Sequence, residues 1–340
     1  MNSNRRAFLR KAGLGLAAVY AAPSLFSCSS PQGKQQGGQE QEQEQSRATT
    51  GITEVGLQLY TLRNQLAEDA ASTLDRVAQI GYDHVETFGP QIGPDGKVSF
   101  WGLDVPALAA KLKEGGLKSY SGHYDMSDFL TPGNGNADTL KIHLETAAAL
   151  GQQYVIAPVP PFQLINELTA DDYRFMADQF NKGGELAAAA GLKIGYHNHF
   201  WEFRTLADGS KGLDILIENT DKDAVFFELD LFWSEKAGID SAAYFEKHPG
   251  RFPLWHLKDM DKEHTEVITG GDNDSKPFTD ITGSIVYAEV GTGAIDFKNI
   301  LTKKDVAGLQ HVFVEQDTIT IDTYESITKS YNYVKNELLG

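Results

Sequence analysis

One stretch of this chain runs Gly191-Leu192-Lys193-Ile194-Gly195-Tyr196-His197-Asn198-His199-Phe200-Trp201-Glu202-Phe203. A helix ending at a glycine precedes it, and the apolar residues that follow are typical of a buried strand. Two histidines and a carboxylate come where that strand ends. Because buried polar groups are costly unless they are paired, we interpret this strand end as part of a functional site.

Three later apolar runs end in the same way. Asp230 closes one, His256 and Lys258 close the next, and Glu315 follows the last. A single polar strand end is common, but four in series indicate one site that the chain assembles from separate strands.

Strands and helices alternate eight times from residue 51 onward, with glycines between helix and strand. The predicted strands are residues 55–60, 84–88, 118–123, 154–157, 192–195, 224–229, 252–257 and 311–314. This alternation is typical of parallel βαβ units, and eight units favour a closed (β/α)8 TIM barrel, an α/β fold. The first strand is not followed by a Gly-x-Gly-x-x-Gly motif, so a dinucleotide site has no support. The active site of such a barrel lies at the carboxyl ends of its strands.

The composition of the 340-residue chain is that of a globular protein with 41% apolar residues. Its formal net charge of −17 argues against a partner with a phosphate backbone, which needs a basic surface, so we predict no nucleic-acid partner. The single cysteine allows neither a disulfide framework nor a cysteine-based zinc site within one chain.

The first 50 residues are predicted to lie outside the fold. Residues 1–28 resemble an export signal, because Arg5 and Arg6 precede a short apolar run as in a twin-arginine signal. Leu25-Phe26-Ser27-Cys28 resembles a lipobox, with the bulky Phe26 as a departure, and Cys28 would carry the lipid; a plain secretory peptide is the alternative. Residues 29–50 are polar and predict a flexible linker. We therefore expect a periplasmic protein, lipid-anchored at a membrane face and contacting the membrane only through Cys28.

The strand ends predict a metal site. Carboxylates with one imidazole, from Asp230, His256 and Glu315, suit one divalent cation such as Mn, Mg, Co or Zn. A fourth ligand is expected from the fifth strand: Glu202 is the first choice, and His197 and His199 are competitors.

Other polar residues of the strand ends are candidates for proton transfer and substrate binding. We assign His199, Lys258 and His123 as candidate catalytic residues, because imidazole and ammonium groups can move protons. His197, Asn198 and Trp201 are candidate substrate-binding residues, with the indole stacking on a sugar. The long loop 259–295 is expected to shape the pocket.

These motifs together resemble the xylose isomerase-like family of sugar phosphate isomerases and epimerases, over about residues 51–340. They are the histidine-rich stretch above, Glu228-Leu229-Asp230, Trp255-His256-Leu257-Lys258-Asp259, Val290-Gly291-Thr292-Gly293-Ala294-Ile295-Asp296-Phe297 and Val314-Glu315-Gln316-Asp317. The resemblance implies one divalent cation held by Glu, Asp, His and Glu, which corresponds here to Asp230, His256 and Glu315. The chain departs from the family at the fifth strand, where His-Asn-His replaces the glutamate.

The function implied is metal-dependent proton abstraction next to the carbonyl of a small-molecule sugar, leading to isomerisation or epimerisation. A keto-sugar lyase or dehydratase, acting by β-elimination on a 3-keto-glycoside, is the first alternative. A non-catalytic sugar-binding lipoprotein is the second. An endonuclease acting at abasic sites has a related fold, but the acidity of the chain disfavours it.

Overall fold

A computed structural model gives the structure of the protein and describes residues 51–340. The predicted signal (1–28) and linker (29–50) lie outside the described residues. Within residues 51–340, none of the helices combines the length and apolar content needed to cross a membrane.

Eight parallel strands close into a barrel, which confirms the predicted fold. The strands are β1 (Gly56–Gln58), β2 (His84–Phe88), β3 (Lys118–His123), β4 (Tyr154–Ala157), β5 (Lys193–His197), β6 (Val225–Asp230), β7 (Leu254–Leu257) and β8 (His311–Val314). Each pairs with the next, and β8 pairs back to β1.

Four predicted strands differ in their limits from the observed ones, and the differences in β1 and β5 bear on the site. β1 ends at Gln58 because the chain turns into a 3-10 helix (Leu59–Leu62), which the Gln58 side chain caps by accepting a hydrogen bond from the Tyr60 N–H. β5 continues to His197, so this histidine lies within the strand and not beyond it.

Helices surround the barrel. Their bounds are Arg63–Ile80, Val105–Glu114, Ser127–Leu130, Asp138–Ala149, Ala170–Ala189, Gly212–Asn219, Leu231–Lys236, Ser241–Lys247, Phe278–Thr282, Phe297–Leu301, Lys304–Ala307 and Thr323–Tyr333. The first helix ends as its sequence predicts, since Gly81 adopts φ 113° and its N–H bonds to the Ala78 carbonyl.

Two small antiparallel sheets lie at the carboxyl ends of the barrel strands. Gln91–Ile92, Val98–Phe100 and Leu103–Asp104 form one sheet after β2. Asp259–Met260 and Tyr287–Ala288 form the other, which closes the base of the long loop after β7. The chain between the two strands of the second sheet, residues 261–286, therefore folds back over the carboxyl ends of the barrel strands.

Side-chain alternation along the strands orders the barrel interior. Residues two apart share a face of a strand. Phe226, Glu228 and Asp230 of β6 therefore all face the barrel interior, in order from the amino end to the carboxyl end of the strand. An apolar layer comes first, formed by Tyr154, Ile156, Leu254 and Phe313, with Phe226 packed against it. The interior becomes polar above this layer, which places ionisable side chains at the carboxyl ends of the strands.

Candidate active site

The upper polar layer brings together four groups able to hold a metal ion. They are His197, Asp230, His256 and Glu315, all buried, with one ligand atom each inside a cluster 4.8 Å across. They come from β5, β6 and β7 and from the residue after β8. His256 Nδ1 lies 2.8 Å from Glu315 Oε2, and His197 Nε2 lies 3.8 Å from Asp230 Oδ2. The structure therefore places three of the predicted ligands in one cluster, and the fourth position is held by His197.

A divalent cation fits this cluster. Asp230 is fully buried, and its Oδ2 accepts no hydrogen bond although Lys258 Nζ lies 3.1 Å away. Two carboxylates with two imidazoles form a donor set that Mn, Co or Zn accepts, and a cation would give this buried oxygen a second partner beside Lys258.

Below the four candidate ligands, a lower polar layer binds the second ring nitrogen of His197 and of His256. His197 Nδ1 lies 3.0 Å from Glu228 Oε2, and His256 Nε2 lies 2.7 Å from Glu86 Oε2 and 3.1 Å from Glu228 Oε2. Carboxylates that hold the far nitrogen of a metal-binding histidine fix its tautomer and orientation. Glu86 is itself held by Gln58 Nε2 and Ser121 Oγ, each at 2.6 Å.

His123 belongs to the lower layer as well. Its Nε2 lies 2.7 Å from Glu228 Oε2. His123, His197, Glu228 and His256 form a second cluster of the same size, so two neighbouring positions share His197 and His256. We favour the upper cluster as the metal position, because it offers two carboxylates to a divalent cation where the lower cluster offers one.

Lys258 provides the positive charge of the upper layer. Its Nζ lies 3.1 Å from Asp230, 2.9 Å from Glu315 and 3.0 Å from Asp317. Burial opposes the ammonium charge, but the three carboxylates outweigh it and raise the pKa of Lys258 well above its ordinary value. The side chain is therefore a permanent cation and hydrogen-bond donor.

Opposite charges also set the ionisation of the carboxylates. Burial opposes ionisation of Glu315, but Lys258 and His256 hold its pKa well below the usual range. Burial raises the pKa of Asp230 to about 6, against the pull of Lys258. Glu315 is therefore the more firmly ionised of the two.

His199 is a neutral imidazole at the wall of the site. Burial, with the charges of His197 and Lys258, lowers its pKa well below the ordinary value. Its Nδ1 has no hydrogen-bond partner, and its ring stacks on Trp201 at a centroid distance of 4.3 Å. A neutral, unpartnered imidazole is able to accept a proton.

Glu202 does not join the metal cluster, contrary to the prediction that made it the first choice for the fourth ligand. After His199 the chain turns into a short 3-10 helix (Trp201–Phe203) that directs the carboxylate backwards. There it accepts hydrogen bonds from the Tyr196 hydroxyl at 2.5 Å and the His199 N–H at 2.8 Å. Burial raises the pKa of Glu202 to about 7.

Asn198 is likewise not a cavity residue, contrary to its predicted contact with a sugar. It is 1% exposed, and its Oδ1 accepts a hydrogen bond from the Asp230 N–H at 3.0 Å. This contact ties β5 to the end of β6, so Asn198 positions a candidate ligand.

A cavity of about 490 Å³ opens above the two polar layers. His123, His197, His199, Trp201, Lys258 and Glu315 line it, which brings six of the predicted site residues to one space. The loop after β7 also contributes, because Phe278, Thr282 and Tyr287 line the same cavity. A pocket of this size with few convergent polar groups is typical of a small-molecule site.

Comparison with known proteins places this barrel in a family. The model of the xylose isomerase-like TIM barrel family matches residues 74–305. The chain belongs to this family. An inosose dehydratase from Geobacillus thermodenitrificans is 27% identical over 248 residues, which cover 68% of this chain and 80% of the relative. A Clostridium perfringens inosose dehydratase is 27% identical over 173 residues, which cover 50% of this chain and 56% of that relative.

Solved structures of this family share the architecture. A sugar phosphate isomerase/epimerase from Parabacteroides distasonis has a TM-score of 0.69 and 26% identity, covering 86% of this chain and 97% of that one. The IolI protein, crystallised with a bound zinc atom, has a TM-score of 0.61 and 17% identity, covering 84% and 99%. The similarity to the IolI protein shows the shared fold alone. With the dehydratases and the first structure as relatives, this member of the family is an enzyme.

Sequence reasoning missed two residues of the site, Glu86 and Glu228. Both lie inside strands and not at their ends, where candidates were sought. A signal for Glu228 was present, because it precedes Asp230 by two positions and so shares its face of β6. The same alternation places Glu86 between His84 and Phe88 on the inner face of β2.

Proposed function

We propose that this enzyme removes a proton from the carbon next to a sugar carbonyl, with a divalent cation held by His197, Asp230, His256 and Glu315, and so isomerises or epimerises the sugar. The observation that carries the proposal is the cluster of these four groups beneath a cavity that also contains a neutral imidazole and a buried ammonium group. A cation bound there would polarise the carbonyl and acidify the adjacent C–H group.

The side chains of this protein supply the remaining parts. His199 is the candidate base, since its ring lines the cavity and its low pKa keeps the imidazole neutral. Lys258 is the candidate donor to the oxygen on which negative charge develops, because an ammonium group acts there as a preorganised electrostatic partner. His123 lies on the cavity floor, where Glu228 holds its ring, so it can contact a substrate bound above it.

β-Elimination is the second candidate reaction. It begins with the same proton abstraction and ends with loss of a leaving group from the next carbon, so the same base and cation serve it. The similarity to an inosose dehydratase over 80% of its length supports this alternative. Its substrate would be a keto-sugar or a 3-keto-glycoside.

Exchange of a substrate C–H proton with deuterium tests the proposal. The full chain would be purified, its divalent metal quantified, and exchange followed by NMR across a panel of keto-sugars and keto-glycosides. We expect exchange that falls by about 10²–10⁴-fold in His199→Ala and disappears with the metal in Glu315→Gln. The product distinguishes epimerisation from elimination.

The matched control is Glu246→Gln, an exposed carboxylate that pairs with Lys303 away from the site. It should keep both metal and exchange. A protein without stoichiometric metal and without exchange across the panel would contradict the enzyme mechanism and favour a sugar-binding protein.

A further inference from the structure

Aromatic side chains surround the mouth of the cavity on two sides. Tyr60 and Phe88, which follow β1 and end β2, contact each other edge to face at 5.3 Å. Phe162 and Phe278, from the loops after β4 and β7, meet at 5.2 Å, and Phe278 lies 5.9 Å from Trp201. All five side chains line the cavity. The two aromatic groups therefore form facing walls above the polar floor.

Two of the five wall residues are exposed to solvent. Phe162 is 54% exposed and Tyr60 is 40% exposed. Of the five large apolar side chains that are exposed among the described residues, these two converge on the same cavity. A scattered exposed apolar residue is ordinary, but apolar residues that meet around a pocket mark a binding surface.

The charges of the cavity disfavour an anionic ligand. Among its described lining residues, Lys258 is the only lysine or arginine, and it is already paired with Asp230, Glu315 and Asp317. Asp125, Glu315 and Asp317 add carboxylates to the lining. A phosphate group carries about −1.5 to −2 charges and would meet these carboxylates with no unpaired lysine or arginine among the described lining residues.

We propose that the aromatic walls are a subsite for an apolar, aromatic substituent of the sugar, so that the enzyme takes neutral aryl glycosides and excludes sugar phosphates. The placement of the sugar ring on the polar floor rests on the function proposed above. The volume of about 490 Å³ lies within the range of roughly 300–1,000 Å³ that suits drug-sized ligands. The sugar lies over His197 and Glu315, and its substituent lies between Tyr60 and Phe162.

Calorimetric titration of the full chain with inert glucosides tests the subsite without any turnover. Phenyl β-D-glucoside, methyl β-D-glucoside, glucose and glucose 6-phosphate are the probes, and none of them needs to react. We expect phenyl glucoside to bind about tenfold more tightly than methyl glucoside, because aromatic contacts add to the area buried. Glucose 6-phosphate should bind more weakly than glucose.

Phe162→Ala should reduce the preference for phenyl over methyl glucoside to less than about threefold, and its exposed position leaves the core intact. Val267→Ala, an exposed apolar residue that does not line the cavity, is the matched control and should keep the full preference. Equal binding of the two glucosides, no measurable binding of phenyl glucoside, an unchanged preference in Phe162→Ala, or tighter binding of glucose 6-phosphate would each overturn the subsite.

The two proposals fail separately. Loss of deuterium exchange with a retained phenyl preference would remove the enzyme mechanism and keep the subsite. Exchange without the preference would remove only the subsite.

Discussion

Two histidines, His197 and His256, are shared by the two clusters that could hold a cation. Asp230 and Glu315 complete the upper cluster, whereas His123 and Glu228 complete the lower one. The second carboxylate favours the upper cluster, because the lower cluster has only Glu228. The two possible metal positions predict opposite effects for two single substitutions, one at Asp230 and one at His123.

We expect Asp230→Asn to lose bound metal and His123→Asn to keep it, because only the first removes a ligand of the upper cluster. Metal content after dialysis, measured by atomic emission, checks this. Glu228→Gln, which acts through both histidines, should weaken affinity by about 10–100-fold. Metal retained in Asp230→Asn but lost in His123→Asn would place the ion in the lower cluster.

Glu202 couples stability to pH, because burial raises its pKa from 4.5 to about 7 in the folded protein. Below pH 4.5 the carboxyl is protonated in both folded and unfolded states. Between pH 4.5 and 7 the folded state binds the proton more tightly, so the free energy of unfolding falls as pH rises. The fall from this group amounts to about 3 kcal/mol.

Glu202→Gln mimics the protonated acid at every pH. Its free energy of unfolding relative to wild type should therefore rise between about pH 4.5 and pH 7, by up to about 3 kcal/mol. Urea unfolding across that range measures the difference. A constant difference would show that Glu202 ionises normally in the folded protein.

At the scale of secondary structure, the carboxylate of Asp259 holds the long loop after β7 to the barrel. It accepts hydrogen bonds from the N–H groups of Gly291, Gly293 and Ile295 at 2.9–3.1 Å. The same loop carries Tyr287 into the cavity, on a short strand paired with Asp259–Met260. A backbone shift at residues 291–295 should therefore reach the cavity.

Gly293→Ala should disturb this attachment, because a Cβ there would lie 2.2 Å from the Met260 carbonyl oxygen and 2.3 Å from Asp259 Oδ1. We expect a loss of about 1–3 kcal/mol in the free energy of unfolding and weaker binding of phenyl glucoside. Thermal unfolding and calorimetry measure the two effects.

Gly283→Ala is the control for that substitution, since its Cβ would meet nothing closer than the Thr279 carbonyl oxygen at 3.6 Å. It should change stability by less than about 0.5 kcal/mol. Equal behaviour of the two variants would show that the loop adapts at Gly293.

Much of this architecture could be predicted from local sequence patterns, because glycines end the helices and apolar runs mark the strands. The clustering of Asp230, His256 and Glu315 followed from the parallel arrangement, which brings strand ends to one side. The position of Glu202 did not follow, because the turn after β5 reverses its direction and no local pattern encodes that reversal. Glu86 needed the barrel itself, since its partner His256 lies 170 residues away.

For the whole molecule, the net charge of −17 and the acidic cavity lining act together. Like charges on a protein surface disfavour anions and attract cations over about a Debye length. The same negative potential favours a divalent cation in the upper cluster and a neutral substrate in preference to an anionic one. We therefore expect a polyanionic partner to bind weakly.

We propose that residues 1–28 direct export and that Cys28 carries the lipid that holds the protein at a membrane face. The support is the sequence alone, with Arg5 and Arg6 before an apolar run and Cys28 as the one cysteine of the chain. We expect the full chain to appear in the membrane fraction of its host and to incorporate a fatty-acid label. A single acyl chain binds membranes only reversibly, so stable recovery requires more than one.

Cys28→Ser should abolish the label and move the protein to the soluble fraction. Ser27→Ala keeps the cysteine and serves as the matched control. Arg5→Lys combined with Arg6→Lys should leave the chain in the cytoplasm if export depends on the arginine pair. A membrane-bound, unlabelled Cys28→Ser protein would contradict the lipid anchor, and an exported double lysine variant would point to the plain secretory route.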